Sequence, residues 1–181
     1  MKTPTILSFS VNDCDFEAQQ SIDYDFYSSP FGNLIIASTK IGICFASFYH
    51  DKNEAQDELK KEFPNCKILQ QQNPKNAEVL NNFLAKEPTK SNLQFHVKAT
   101  NFQVQVWKEL LKIPIGSRST YLQIAQKIGN PNAYRAVGTA IGKNPIALLI
   151  PCHRIVKTNG EMGGYKWEVP TKKAILDWEK N

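Results

Sequence analysis

Residues 120–142 have the sequence TYLQIAQKIGNPNAYRAVGTAIG. A capping box that begins at Thr120 predicts a short helix, and Gly129 is typical of the residue just after a helix. Asn130 is followed by proline, a pair typical of an N-cap and the first helical position, so a second helix is expected as far as Gly142. Two short helices joined by about three residues indicate a helix-turn-helix, and we expect the C-terminal half of the chain to fold around it.

The second of these helices carries little side-chain bulk. Its small residues are Ala133, Ala136, Gly138, Ala140 and Gly142. Such a surface allows close approach to another helix or to the backbone of DNA. Arg135 is the one long cation in the middle of the helix, and taken alone it is best explained as an ordinary surface arginine.

A further stretch of chemical interest is residues 150–154, Ile-Pro-Cys-His-Arg. The thiolate is the nucleophilic form of cysteine, and a neighbouring cation or imidazole favours that form. His153 and Arg154 therefore predict a pKa for Cys152 below that of a free thiol. The apolar run 147–150 predicts a buried strand that leads Cys152 into a stiff turn, because the preceding proline restricts the backbone. The alternative is a cysteine that simply packs in the core, and these five residues alone do not decide between the two.

The composition is that of a soluble protein with one or two domains. The chain has 181 residues, of which 41% are hydrophobic, enough to bury a core. No secretory or membrane-spanning pattern is present near its start, so we expect an intracellular, cytoplasmic protein. The four cysteines have no zinc-like spacing and the three histidines do not cluster with them, so no metal and no cofactor is expected.

Charge is unevenly distributed along the chain. Residues 1–90 contain 9 lysines and arginines against 12 aspartates and glutamates, whereas residues 91–181 contain 13 against 5. A basic second half beside an acidic first half indicates a polyanionic partner. Nucleic acid is the usual one, because neutralising its phosphates releases counterions. A basic surface that is simply solvated is the alternative.

The N-terminal half predicts a small α+β domain. Strands are expected at 24–27, 34–38 and 43–49, and helices at 53–63 and 77–85. A polar, proline-containing segment after the second helix marks a domain boundary. The expected divisions are a tail at 1–22, an α+β domain at 23–92 and a DNA-binding domain at 93–181.

Several ordered motifs lie between residues 95 and 181. They are Phe102-Gln103-x-x-Val106-Trp107, Ile113-Pro114-x-Gly116, Thr120-Tyr121-x-x-Ile124-Ala125, Arg135-Ala136-Val137-Gly138-x-Ala140, Asn144-Pro145, Ile150-Pro151-Cys152-His153-Arg154-Ile155-Val156 and Gly163-Gly164-Tyr165. Together they resemble the O6-alkylguanine-DNA alkyltransferase family, the methylated-DNA–protein-cysteine methyltransferases. The resemblance implies an α+β protein with a ribonuclease H-like sheet-plus-helix domain at the N-terminus and a winged-helix-like helix-turn-helix domain at the C-terminus.

The resemblance also implies roles for the catalytic residues. Cys152 would accept the alkyl group, His153 would act through water as the base that forms the thiolate, and Glu179 would orient that histidine. Asn144 would tie the second helix of the helix-turn-helix to the cysteine turn. Tyr121 would rotate a phosphate and help to expel the guanine.

A DNA interface and a base pocket are implied in the same way. Arg135 would fill the gap left in the base stack, and its small neighbours at the interface would be Ala133, Ala136 and Gly138. Tyr165 would contact the guanine O6, and the pocket would be lined by Tyr165, Gly164, Pro151 and Lys166. Residues 166–168 depart from the family pattern at the pocket edge, which leaves open whether bulky alkyl groups are accepted.

The implied function is DNA repair by a single-use methyltransferase. The protein would act as a monomer in the cytoplasm, near the nucleoid in a prokaryote, on double-stranded DNA that contains O6-alkylguanine. Whether O4-alkylthymine is a second substrate is left open. Chemistry supports this implication, because a protein sulfur reaches a base inside the duplex only after the nucleotide turns out. Two other functions stay open: a DNA-binding regulator or lesion sensor without transfer, and a thiol hydrolase that uses Cys152 and His153.

Overall fold

The computed structural model describes residues 8–10, 21–87 and 93–180. The chain forms two compact units, 1–99 and 100–181. The first is a sheet with two helices and the second is mostly helical, so the expected α+β class is confirmed. Most of the expected tail at 1–22 lies outside the described residues.

The first unit is built on a six-stranded mixed sheet. Its strands are β1 (Ser8–Ser10), β2 (Ser21–Ser29), β3 (Gly32–Ser38), β4 (Ile43–Tyr49), β5 (Lys67–Gln70) and β6 (Gln94–His96), and its helices are α1 (Lys52–Glu62) and α2 (Pro74–Leu84). The strand order is β1-β6-β4-β3-β2-β5. The β2–β3–β4 meander is antiparallel, whereas β1, β5 and β6 pair in parallel with their neighbours.

Alternation along the strands creates the core of this unit. Alternate residues of β2 and β3 point to the face that α1 covers, as expected for strands with one buried face. The buried cluster contains Ile22, Tyr24, Ile35, Ala37, Cys44, Phe45, Ala55, Leu59 and Phe63. Burial raises the pKa of Cys44, so this cysteine is a packing residue and not a nucleophile.

The first unit extends further along the chain than the sequence predicted. The predicted boundary lay at residue 92, but β6 follows it and pairs with both β1 and β4. The division between the units therefore falls after Ala99. A strand of only three residues shows too little alternation to be recognised, so the polar segment before it dominated the prediction. Residues 88–92 of that segment lie outside the described residues.

The second unit surrounds the helix-turn-helix. Its elements are α3 (Asn101–Leu111), β7 (Ser119–Thr120), α4 (Tyr121–Lys127), α5 (Tyr134–Gly142), β8 (Ile155–Val156) and α6 (Val169–Lys180), with 3-10 turns at Pro131–Ala133 and Cys152–Arg154. Full capping boxes at Thr100 and Thr120 begin α3 and α4. The buried Trp107 indole donates from Nε1 to the Ala140 carbonyl at 2.9 Å, which ties α3 to α5.

The start of the second helix differs from the prediction. Asn130 makes no side-chain capping hydrogen bond, and the segment after it is a 3-10 turn. The α-helix begins only at Tyr134, three residues later than expected. Proline at the start of a turn suits a 3-10 helix as well as an α-helix, so the dipeptide does not distinguish the two.

The predicted strand at 147–150 is wrong. This segment is a tight turn in which Leu148 has φ +66° and the Leu149 amide donates to the Ala147 carbonyl at 2.6 Å. All of its residues are buried, so the prediction of burial is confirmed. A short apolar run indicates burial but does not specify the backbone conformation.

No helix within the described ranges is long and apolar enough to cross a membrane. Among the same residues, no group of three or more His, Cys, Asp or Glu side chains is placed to hold a metal ion.

Candidate active site

Cys152 is held by the side chain of Asn144. The cysteine is the first residue of its 3-10 turn and is 5% exposed. Asn144 Nδ2 lies 3.1 Å from Cys152 Sγ, 3.0 Å from the Ile146 carbonyl and 3.1 Å from the Ile150 carbonyl. Asn144 Oδ1 accepts from the Ile146 amide at 2.9 Å. One buried amide thus closes the turn between α5 and the cysteine and also touches the sulfur.

The two residues after the cysteine converge on Glu179 in the last turn of α6. His153 Nε2 lies 2.9 Å from Glu179 Oε1. Arg154 donates from Nε to both carboxylate oxygens, at 3.0 and 3.1 Å, and from Nη2 to Oε1 at 2.7 Å. Its Nη1 donates to the Ile113 carbonyl at 2.6 Å, and the Gly116 amide donates to Glu179 Oε2 at 3.3 Å. Glu179 is therefore a buried junction between α6, the cysteine turn and the loop after α3.

The protonation of this junction follows from its partners. Burial alone would raise the pKa of Glu179, but hydrogen bonds from His153 and Arg154 outweigh it and lower that pKa to about 2. Burial lowers the pKa of His153, so its imidazole is neutral near pH 7. An ionised carboxylate only accepts, so His153 Nε2 carries the proton and Nδ1 is the basic nitrogen. Nδ1 is buried and has no direct hydrogen-bond partner among the described residues.

The predicted direction of the Cys152 pKa shift is wrong. Burial raises the pKa of this thiol to about 11, although the Asn144 hydrogen bond and the charge of Lys172 act in the opposite direction. Arg154 is engaged by Glu179, and neutral His153 carries no positive charge. The two neighbours in the sequence therefore supply no free cation to the sulfur, and the resting protein holds a thiol.

Lys172 is a residue of this site that the sequence analysis missed. It is fully buried, and its Nζ donates to the Ile155 carbonyl at 2.6 Å and to the Gly163 carbonyl at 3.4 Å. Burial lowers the pKa of Lys172 to about 8, while a charge on Cys152 acts against that shift. A signal was present in the sequence: residues 172, 175, 176 and 179 form one helical stripe and are the buried residues of α6. Ala174 is exposed and Trp178 is half-buried, so neither belongs to this buried stripe.

Two tyrosines lie beside the cysteine. Burial and a charge on Cys152 raise the pKa of both Tyr121 and Tyr165, so both phenols stay protonated. The Tyr165 hydroxyl is buried without a direct hydrogen-bond partner among the described residues, and its ring packs edge-on against Trp167 with centroids 5.3 Å apart. The Tyr121 hydroxyl lies so close to the Gly163 backbone that a Cβ at residue 163 would be 2.4 Å from it.

The other predicted pocket residues differ in exposure. Pro151 is buried, whereas Gly164 and Lys166 are exposed. Lys166 Nζ lies 5.2 Å from the centroid of the Trp167 ring, and Trp167 itself is only 7% exposed. Trp167 was not among the predicted pocket residues, although its ring contacts that of Tyr165.

The predicted DNA-binding residues lie on and beside α5. Arg135 and Ala136 are exposed, and Ala133 is partly exposed. Gly138 faces the Tyr121 ring at an ordinary packing distance, since a Cβ there would be 3.6 Å from the ring. Gly138 thus contributes at least in part to packing α5 against α4.

Comparisons with known proteins agree with this architecture. A family model described as 6-O-methylguanine DNA methyltransferase, ribonuclease-like domain matches residues 22–97, and one described as 6-O-methylguanine DNA methyltransferase, DNA binding domain matches residues 101–181. The methylated-DNA–protein-cysteine methyltransferase of Methanosarcina barkeri is 35% identical over 159 residues, which cover 87% of this chain and 97% of that protein.

Two Mycobacterium proteins are also similar. The protein of the same name from Mycobacterium bovis is 44% identical over 102 residues, which cover 56% of this chain and 62% of that protein, less than two thirds of its length. A crystal structure of Mycobacterium tuberculosis OGT in complex with DNA is 31% identical, with a TM-score of 0.71 over 88% of this chain and 92% of that one. From these matches over both units, the chain belongs to the methylated-DNA–protein-cysteine methyltransferase family.

Proposed function

We propose that this protein repairs DNA by transferring the alkyl group of O6-alkylguanine to its own Cys152. The observation that carries the proposal is the contact of 2.9 Å between His153 Nε2 and Glu179 Oε1. This contact leaves Nδ1, within the cysteine turn, as the basic nitrogen, and Nδ1 is buried with no direct hydrogen-bond partner among the described residues. A nitrogen placed in this way is suited to take the thiol proton through one water molecule.

The transfer step exchanges one covalent bond for another. The Cys152 sulfur forms a bond to the alkyl carbon, and the bond between that carbon and guanine O6 breaks, leaving its electron pair on guanine. The thiol proton goes to His153, and guanine takes a proton from a phenol, Tyr121 or Tyr165. The proton on the imidazole then restores the phenol through solvent. No redox change occurs, and we propose that no cofactor is needed.

The high pKa of the Cys152 thiol is consistent with a thiolate that forms only when the substrate is bound. At neutral pH the sulfur is protected as the thiol, and the proton is removed in the bound complex. The buried ammonium of Lys172 supports the thiolate once it forms, because opposite charges interact strongly where water is excluded.

The substrate is proposed to be double-stranded DNA with the damaged nucleotide turned out of the stack. Arg135 is exposed on α5, where it could occupy the space that the base leaves. The exposed or partly exposed alanines at 133 and 136 allow α5 to approach the duplex closely. Tyr121, at the start of α4, would meet the adjacent phosphate. O4-alkylthymine presents the same alkyl-oxygen bond and is proposed as a second substrate.

Each molecule is proposed to act once, as a monomer, where DNA is accessible in the cytoplasm. The product at Cys152 is a thioether, which has no carbonyl that water can attack, so hydrolysis does not restore the thiol. All of the reacting groups named above belong to one copy of residues 100–181, so a single chain suffices.

The test is incubation with a duplex that contains one O6-methylguanine, followed by mass measurement of the intact protein and of its peptides. We expect one methyl group per molecule, on the peptide that contains Cys152, and no further transfer when more DNA is added. Cys152→Ser should abolish the transfer, whereas Cys66→Ser, which changes the partly buried cysteine of the first unit, should leave it intact. Folded wild-type protein that binds the duplex without gaining a methyl group would end the proposal and favour a lesion sensor.

A further inference from the structure

Tyr134 is a large exposed side chain at the start of a helix that is rich in alanine and glycine. It is the first residue of α5 and is 44% exposed. The residues that flank the Tyr134-Arg135 pair, Ala133 and Ala136, carry only a methyl group. If the only role of the α5 surface were to let the helix approach the DNA backbone closely, a tyrosine at its N-terminal end would obstruct that approach.

The ring of Tyr134 is in contact with the charge of Arg135. The guanidinium carbon lies 5.7 Å from the ring centroid, within the range of a cation–π interaction. Consecutive residues on a helix point about 100° apart, so this contact forms only when the two side chains turn towards each other. Among the described residues, the Arg135 guanidinium has no ion pair with a carboxylate. The ring is therefore the feature that restricts where this guanidinium lies.

We propose that Tyr134 is a positioning residue that holds the Arg135 guanidinium at the leading end of α5, ready to enter the base stack. The inference rests on the proposed function, in which Arg135 replaces the extruded base. A free arginine side chain has many rotamers, and most of that freedom is lost when it enters the stack. Contact with the ring removes part of the freedom before DNA is bound, so less remains to be lost at the insertion step.

This role predicts a particular kinetic signature. Tyr134 acts after DNA is bound and before the methyl group moves, so its removal lowers the transfer rate constant at saturating DNA and leaves the half-saturating DNA concentration nearly unchanged. The usual strength of an exposed cation–π contact corresponds to a decrease of about 2- to 5-fold in this rate constant. The ring and not the hydroxyl makes the contact, so phenylalanine should preserve it while leucine should not.

The experiment measures single-turnover methyl transfer to Cys152 over a range of concentrations of duplex DNA with one O6-methylguanine. Tyr134→Leu should lower the rate constant at saturation, and Tyr134→Phe should restore it to the wild-type value. Val169→Ala changes a side chain of similar exposure at the start of α6 and should have no effect. Fluorescence of 2-aminopurine beside the lesion, in a Cys152→Ser background, should show less base extrusion for Tyr134→Leu than for Tyr134→Phe.

Coupling between the two residues decides the outcome. In an Arg135→Ala background, Tyr134→Leu should have no further effect. An equal effect with and without Arg135 would overturn the inference, because the ring would then contact DNA on its own account. A wild-type rate for Tyr134→Leu would also overturn it while leaving the proposed function intact, whereas absence of transfer by the wild-type protein would count against the proposed function itself.

Discussion

His153 and Glu179 are 26 residues apart in the chain, and their side chains meet at 2.9 Å in the interior of the second unit. Both side chains are fully buried. Because the carboxylate is ionised, it fixes the imidazole in the form that has a proton on Nε2 and a free lone pair on Nδ1. The last turn of α6 therefore determines which nitrogen of His153 has a free lone pair, and this nitrogen is the proposed base.

Replacing Glu179 by glutamine is expected to impair both folding and transfer. The change leaves the buried Arg154 guanidinium without its counter-charge, which typically costs about 3–5 kcal/mol in the free energy of unfolding. It also removes the charge that stabilises a protonated His153, so the transfer rate constant should fall by about 10²-fold or more. Urea unfolding and single-turnover methyl transfer measure the two effects. Asp177→Asn, which changes an exposed carboxylate in the same helix, is the control. Unfolding at the wild-type urea concentration would contradict the structural part of this prediction.

Acid should destabilise the second unit through the same carboxylate. The pKa of Glu179 is lowered from 4.5 to about 2 in the folded state, so the folded protein binds fewer protons than the unfolded chain between those values. The stabilisation is therefore fully present above pH 4.5 and is lost as the pH falls towards 2, a change of about 3 kcal/mol. Unfolding followed by the fluorescence of Trp107 and the other tryptophans, at a series of pH values, measures it. Glu179→Gln should lack this component, and an equal acid dependence in both proteins would refute the assignment.

The Cys152 thiol should react with iodoacetamide only at high pH. Because burial raises its pKa to about 11, labelling of the Cys152 peptide should increase through that region and not through the range of a free thiol, about 8.5. The urea-unfolded protein provides the free-thiol reference. A midpoint at or below 8.5 in the folded protein would show that burial does not dominate.

A methyl group added at Gly163 should disturb Tyr121. The new Cβ would lie 2.4 Å from the Tyr121 hydroxyl, so the ring has to move. We expect Gly163→Ala to lower the free energy of unfolding by about 1–3 kcal/mol and to slow transfer. Gly164→Ala is the matched control for stability, because no atom of the described residues, apart from its two chain neighbours, lies within 4 Å of a Cβ at that residue. If Tyr121→Phe does not recover part of the stability lost in Gly163→Ala, the clash is not with the hydroxyl.

The local signals in the sequence predicted the helices well. The capping box expected at Thr120 is present in the structure, and an equivalent box at Thr100 begins α3. Such signals succeed because a cap is a contact between near neighbours in the chain. The turn that presents Cys152 could not be predicted in this way. Its shape depends on Asn144, which binds two carbonyls and a sulfur up to eight residues away.

The electrostatics of the site were the least predictable part. His153 and Arg154 adjoin Cys152 in the sequence, but both side chains turn towards Glu179. The cation that does act on the sulfur is Lys172, which comes from another element and is buried by the fold. A pKa depends on burial and on distances in space, and neither is contained in the order of neighbouring residues.

The hydrogen bond from the Trp107 indole to Ala140 restricts how the protein can adapt to a duplex. A buried indole that holds the C-terminal part of α5 opposes sliding of this helix, so in the proposed complex the distortion would occur in the nucleic acid. The energetic cost of bending and unstacking then varies with the strength of each base pair, and damaged pairs yield most readily. Discrimination would thus arise from the mechanical weakness of the lesion, with little dependence on the surrounding base sequence.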